Sequence, residues 1–185
     1  MIRSERIGLR HATEADLALI VKMSADPAAR GTFLPDRMRA PSEVIKQFAE
    51  TGFSTDDYEM LLICDLQGAE EQVIGNVVHF RARTRYTTAR EIGWTIFDPA
   101  LRGKGYASEA ASRLVDYLFE NFQQVYRLEC TVSANNAPSR GVAEKLGFKH
   151  EALSRGLLYV QGQPVDANTF GLIRPEWEQS KSAAR

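Results

Sequence analysis

The segment Arg102-Gly103-Lys104-Gly105-Tyr106-Ala107 constrains this chain more than any other, because it stands directly ahead of the strongest helical pattern in the sequence. Ala107, Ala110, Ala111, Leu114, Val115, Leu118 and Phe122 recur on one face, with Ser108, Glu109, Ser112, Arg113, Asp116 and Glu120 on the other. Glycines at a helix entrance let several backbone N–H groups approach one anion. The unpaired first-turn amides and the helix dipole, about half an elementary charge, add to the attraction. Arg102 and Lys104 complete a site suited to a pyrophosphate. A lone Gly-x-Gly is satisfied equally by a tight turn, so the surrounding elements decide what this one means.

Those elements form a strand, the helix and a second strand. Arg90 to Phe97 and Val125 to Ser133 read as strands on either side of the helix, which makes a β-α-β crossover with the glycine turn at the helix entrance. Upstream, a strand near Glu5 to Arg10 leads to Thr13, which with Asp16 resembles a capping box before a first amphipathic helix through Leu17, Ile20, Val21 and Ser24. A second helix begins near Ser42 and ends before Gly52. Tyr58 to Leu66 and Gln72 to Arg81 read as strands whose short links favour antiparallel pairing. Downstream, Ala137 to Leu146 reads as a short helix with Pro138 in its first turn and Gly147 as its C-terminal cap. Strands at Phe148 to Leu153 plus Leu157 to Gln161, and at Val165 to Ile173, meet at Gly162-Gln163-Pro164. The expected fold class is mixed α/β, a central and largely antiparallel twisted sheet with helices on both faces.

With 185 residues, the length suits one domain, 1–185, better than two, with a tail at 178–185 that reads as frayed. A formal charge of -1 argues against nucleic acid as a partner. No apolar run approaches the roughly 18 residues of a spanning helix, and Met1 to Arg6 leads into no signal-peptide core, so no membrane and a cytoplasmic location are expected. Cys64 and Cys130 lie in apolar, β-branched stretches and read as buried thiols, and His11, His79 and His150 form no metal pattern.

Two other phosphate-binding motifs fit less well. A Walker loop needs Ser or Thr directly after its lysine, where Gly105 follows Lys104. The dinucleotide fingerprint expects a third glycine or alanine where Ser108 stands, although an acid, Glu129, lies in the next strand. The residues Arg102 to Ala107 instead match the Arg/Gln-x-x-Gly-x-Gly/Ala signature of the GNAT acetyltransferase superfamily. Glu91-Ile92-Gly93-Trp94 resembles the strand before that signature. Asn136-Ala137-Pro138-Ser139 and Glu144-Lys145-Leu146-Gly147-Phe148 resemble the ribosomal-protein N-terminal acetyltransferase branch.

The resemblance implies acetyl-CoA as co-substrate and no metal. It assigns the pyrophosphate to Arg102, Gly103, Lys104, Gly105, Tyr106 and Ala107, and the pantetheine arm to backbone groups of Trp94, Thr95, Ile96 and Phe97. It also sets an N–H near Thr95, freed by a bulge, against the thioester carbonyl, an arrangement suited to developing oxyanion charge. Glu91 is the candidate base, the alternative being a surface carboxylate paired with Arg90 or a neighbouring strand. Ser139 stands where many members carry the tyrosine that protonates the CoA sulfur, and a serine there also fits plain backbone hydrogen bonding. Asn136 is expected to cap its helix and to touch the cofactor.

Four arginines between Arg81 and Arg90 could steer an acidic substrate or simply be solvated. Trp94, Tyr159 and Phe170 could wall the acceptor pocket or belong to the core. Asp166 could hold an acceptor ammonium or belong to the turn. The implied function is acetyl transfer to a primary amine by direct attack in a ternary complex, the acceptor being a protein N-terminus. The competing readings are a small amine acceptor (polyamine, amino acid or aminoglycoside), a non-catalytic acyl-CoA-binding module, and a dinucleotide binder. A homodimer is common in the family, and no heptad or apolar stripe requires one here.

Overall fold

The computed structural model of the chain describes residues 1–26, 32–33, 38–82 and 87–183. Its eight strands form one sheet in the order β1-β2-β3-β4-β5-β6-β8-β7. They are β1 (Ile2–Arg3), β2 (Ile7–Arg10), β3 (Tyr58–Asp65), β4 (Gln72–Arg81), β5 (Arg90–Ile96), β6 (Arg127–Ser133), β7 (Lys149–Val160) and β8 (Gln163–Ile173). Every pairing is antiparallel except β5 with β6. The exception is the crossover expected around the glycine turn: a parallel neighbour requires a long connection, and α3 (Tyr106–Asn121) supplies it.

Alternation along the strands divides the core in two. Leu61, Ile63, Val77, Ile92, Ile96, Leu128, Cys130, Phe170 and Leu172 pack under Ala110, Leu114, Leu118 and Phe119 of α3. Met60, Leu62 and Cys64 face the opposite way, against Ile20 of α1 (Leu17–Ala25) and Val44 of α2 (Pro41–Thr51). Helices therefore cover both faces. Both cysteines are free and buried. No helix among the described residues is long and apolar enough to cross a membrane.

The expected capping box is present: the Asp16 carboxylate accepts from the Thr13 N–H and hydroxyl, each at 2.7 Å. It precedes a 3-10 turn, Glu14–Asp16, that leads into α1. α4 (Ala137–Lys145) has Asn136 as its N-cap, the Ser139 N–H donating to Asn136 Oδ1 at 3.1 Å. The closing hairpin departs from expectation at its turn. Gln161 and Gly162 both have positive φ and form the tight connection, while Gln163 and Pro164 already belong to β8. β7 is one strand, with pairing to β8 broken between His150 and Ala152 and between Ser154 and Leu158. The chain's end also differs: α5 (Arg174–Ala183) continues where fraying was expected. Trp177 Nε1 and Lys181 Nζ both donate to the Asp116 carboxylate on α3, at 2.9 and 2.7 Å.

Candidate active site

Because β5 and β6 run parallel, their carboxyl ends open on the same edge of the sheet. The glycine loop follows β5 and the Asn136–Ser139 turn follows β6 there, where ligands of α/β sheets collect. The two strands share register only at Arg90↔Leu128 and Glu91↔Glu129, then part. The result is a wedge with Glu91 at its apex.

Flanking hydrogen bonds show which backbone groups face into the wedge. Phe97 N–H donates to Ile74 C=O at 2.9 Å, and Ala82 N–H to Ala89 C=O at 3.0 Å, one at each end of the β4–β5 ladder. Bonded and non-bonded positions alternate in an antiparallel pair, so Thr95 bonds across to Asn76 while Trp94 and Ile96 turn their backbone groups away from β4. On β6, the bonds Arg174 N–H to Tyr126 C=O and Ala134 N–H to Asp166 C=O, both 2.8 Å, set the opposite parity. Thr131 and Ser133 thereby turn theirs towards β5. Two carbonyls are already engaged: Ile96 C=O accepts from Arg102 Nε at 3.1 Å and Ser133 C=O from Asn136 N–H at 2.8 Å. The Ser133 Oγ is buried at the end of β6 without a hydrogen-bond partner among the described residues.

This phasing corrects the expectation at Thr95. Register between β4 and β5 is continuous, with no bulge, and the Thr95 amide is directed at β4. The amides available to a ligand in the wedge belong to its neighbours Trp94 and Ile96. They are free because β6 diverges.

Ile92, Ile96 and Trp94 pack beneath α3, so Glu91, Gly93 and Thr95 lie on the other face. Glu91 is 8% exposed and makes no hydrogen bond or ion pair among the described residues. It is therefore not the surface carboxylate of the alternative reading. Its neighbour Glu129 is held by Arg127 at 3.2 Å, and Arg127 also grips Glu151 at 2.5 Å. Cys130 on the same strand is buried, which pushes its thiol up to about 12.

The loop has the geometry that an anion site requires. Gly103 and Gly105 have φ of 74° and 85°, a region costly for any residue with a Cβ, and Gly105 is the N-cap of α3. No side chain caps that helix, so its first amides stay available. Beside the loop lies a cavity of about 460 Å³ lined by residues that include Lys104, Gly105, Ser108, Ser112, Arg113 and Lys145. Tyr106 points the other way: its ring is buried and its hydroxyl donates to Asp65 Oδ2 at 2.7 Å, which raises the phenol pKa and lowers that of the carboxylate. Ala107 is partly buried against the core. A sequence reading missed Arg6, whose guanidinium donates to Lys104 C=O at 3.1 Å across 98 positions of chain.

Other candidates fall elsewhere. Phe170, 1% exposed, is core, and Trp94 packs against the same core. Tyr159 stands 68% exposed on β7. Asp166 belongs to the hairpin, accepting from Gly156 N–H at 2.8 Å. Arg81 pairs with Asp57 at 2.6 Å and Arg90 donates to Asp56 C=O at 2.7 Å. Arg83 and Arg85 lie outside the described residues.

The family model described as an acetyltransferase (GNAT) domain matches residues 6–149. Among curated proteins, "Putative ribosomal N-acetyltransferase YdaF" of Bacillus subtilis is 30% identical over 72% of this chain and 79% of its own length. The uncharacterized N-acetyltransferase YnaD of the same organism is 31% identical over 58% of this chain; the match spans 61% of YnaD, less than two thirds of its length. Among solved structures, the spermidine N-acetyltransferase of Vibrio cholerae in complex with CoA and spermine superposes with a TM-score of 0.80. It is 17% identical and covers 95% of this chain and 99% of that one. A GNAT-family acetyltransferase from Bacillus anthracis gives a TM-score of 0.75 at 22% identity, covering 93% and 97%.

Proposed function

This chain belongs to the GNAT acetyltransferase family, and on that premise we propose that it transfers acetyl from acetyl-CoA to the α-amine of a protein N-terminus. The observation that carries the proposal is the wedge between β5 and β6, opening beside a helix N-terminus whose amides are uncapped. One long ligand with an anionic middle and an amide-bearing arm satisfies both features. Residues 102–107 would hold its diphosphate, and backbone groups of Trp94, Ile96, Thr131 and Ser133 its amide arm. Asn136 and the unpartnered Ser133 hydroxyl border that arm.

When bound, acetyl-CoA supplies a thioester carbonyl as the electrophile. The chain's own groups then have separate tasks. Glu91, largely buried and without a hydrogen-bond partner among the described residues, takes the proton of the acceptor ammonium directly or through a water. The Trp94 or Ile96 amide donates to oxygen that gains charge, a contribution of roughly 3 kcal/mol. Ser139, in the first turn of α4, relays a proton from water to the departing thiolate, its own hydroxyl proton being replaced by that water. A covalent acetyl-cysteine route is disfavoured, since burial holds the Cys130 thiol protonated at neutral pH. Attack is therefore direct, within a ternary complex.

Support for a peptide acceptor comes from the relative named as a ribosomal N-acetyltransferase, which matches most of its own length. The test is to offer acetyl-CoA with peptides bearing the N-termini of ribosomal proteins, or with spermidine, and to identify products by mass spectrometry. Acetylation of a peptide α-amine is expected. Acetylation of spermidine alone would move the acceptor to small polyamines, and binding of acetyl-CoA with no transfer to any amine, amino acids and aminoglycosides included, would make the chain a non-catalytic acyl-CoA-binding module.

A further inference from the structure

We infer that Arg6, far from the signature in sequence, is the positioning residue of the diphosphate loop, and that it masks a carboxylate, Glu109, that would otherwise oppose the ligand. The inference rests on the reading above that the loop holds the diphosphate of acetyl-CoA.

Glu109 lies in the first turn of α3, where the helix dipole favours an acid, but it also lines the cavity beside the loop. An unneutralised carboxylate there repels a diphosphate. Arg6 Nε donates to Glu109 Oε2 at 2.8 Å, and Ser4 Oγ donates to Glu109 Oε1 at 2.5 Å, so both oxygens are occupied from the N-terminal segment. The same guanidinium fixes the loop backbone. Its NH1 donates to Lys104 C=O at 3.1 Å, and its Cζ lies 4.3 Å from the centre of the Tyr106 ring. The peptide between Lys104 and Gly105 is planar and trans, so holding the carbonyl towards Arg6 turns the Gly105 N–H the opposite way. Releasing that carbonyl would let the plane rotate and present an acceptor where the anion needs a donor.

One arginine performs three jobs: it pairs the acid, bonds the carbonyl and stacks on the ring. Lysine carries the same charge on a point-like ammonium and cannot do all three at once. This separates a charge effect from a positioning effect.

The experiment titrates acetyl-CoA calorimetrically into wild type, Arg6→Gln, Arg6→Lys, Glu109→Gln and the Arg6→Gln/Glu109→Gln double variant, with steady-state kinetics on each. Arg6→Gln should weaken acetyl-CoA binding about tenfold or more, as loss of a charge-assisted contact does. Its kcat at saturating acetyl-CoA should stay within about twofold of wild type, since the loop does not touch the reacting atoms. The double variant should recover part of the lost affinity, and Arg6→Lys should fall between wild type and Arg6→Gln. Should Arg6→Gln fold poorly, the comparison of Arg6→Lys with Arg6→Lys/Glu109→Gln carries the same test. Unchanged affinity in the Arg6 variants, or a double variant no better than Arg6→Gln, would overturn the inference while wild-type binding still upholds the proposed function. Failure of wild type to bind acetyl-CoA would overturn both.

Discussion

Glu91 is a largely buried carboxylate that makes no hydrogen bond or ion pair among the described residues, which leaves its oxygens open to an incoming ligand. Glu91→Gln keeps the shape and removes the proposed base. It should lower kcat roughly a hundredfold while leaving acetyl-CoA affinity unchanged, as loss of a positioned general base does; an undiminished kcat would make Glu91 structural. Asp16 shows the opposite economy. Hydrogen bonds from Arg10 hold its carboxyl down at about 2, and this carboxylate is largely buried. A depressed pKa contributes stability above the unfolded value, near 3.9, that disappears as pH falls through the folded one, on the order of 2 kcal/mol. Thermal melts from pH 5 down to about pH 2 should therefore show an acid-limb loss that Asp16→Asn flattens. The loop glycines and the Thr13–Asp16 box were legible in sequence because each signal lies within a few neighbouring residues, whereas Glu91 was singled out only through the family resemblance. Arg6 was not, since its partners Lys104 and Glu109 stand 98 and 103 positions away.

At the scale of elements, α3 is fixed at both ends by other parts of the chain. Its N-terminus meets Arg6, and its C-terminal carbonyls meet Arg174, which donates to Phe119 at 2.7 Å, Phe122 at 2.9 Å and Val125 at 2.8 Å. Removing that guanidinium leaves several helix-end acceptors unpaired. Arg174→Ala should cost about 2 kcal/mol, a fall of roughly 4–8 °C in Tm, with little change in acetyl-CoA affinity. Calorimetric melting checks the first expectation and titration the second. Elements with long periodic patterns, such as α3 and β4, were readable from sequence to within a residue or two. The two-residue β1 carries no period at all, and the polar α5 is held by the tertiary contacts of Arg174, Trp177 and Lys181 more than by a strong apolar stripe. The bulge expected at Thr95 failed for a related reason. Both a bulge and a diverging neighbour free backbone groups, and only the register of β6 distinguishes them.

Among the described residues, β5 and β6 are neighbours that pair parallel over two positions and then separate, and the sequence's glycine loop lies at that opening. We propose that this opening and this loop together hold acetyl-CoA. The most direct test is calorimetric titration of acetyl-CoA, with NAD as control, into wild type and a Gly105→Glu variant. Gly105→Glu places an acid at a position with φ of 85°, combining backbone strain with like charge. Micromolar-range binding of acetyl-CoA to wild type, none of NAD, and loss of binding in a variant that still melts cooperatively are expected. Wild type that binds NAD in place of acetyl-CoA, or a folded Gly105→Glu variant with undiminished acetyl-CoA affinity, would contradict the proposal.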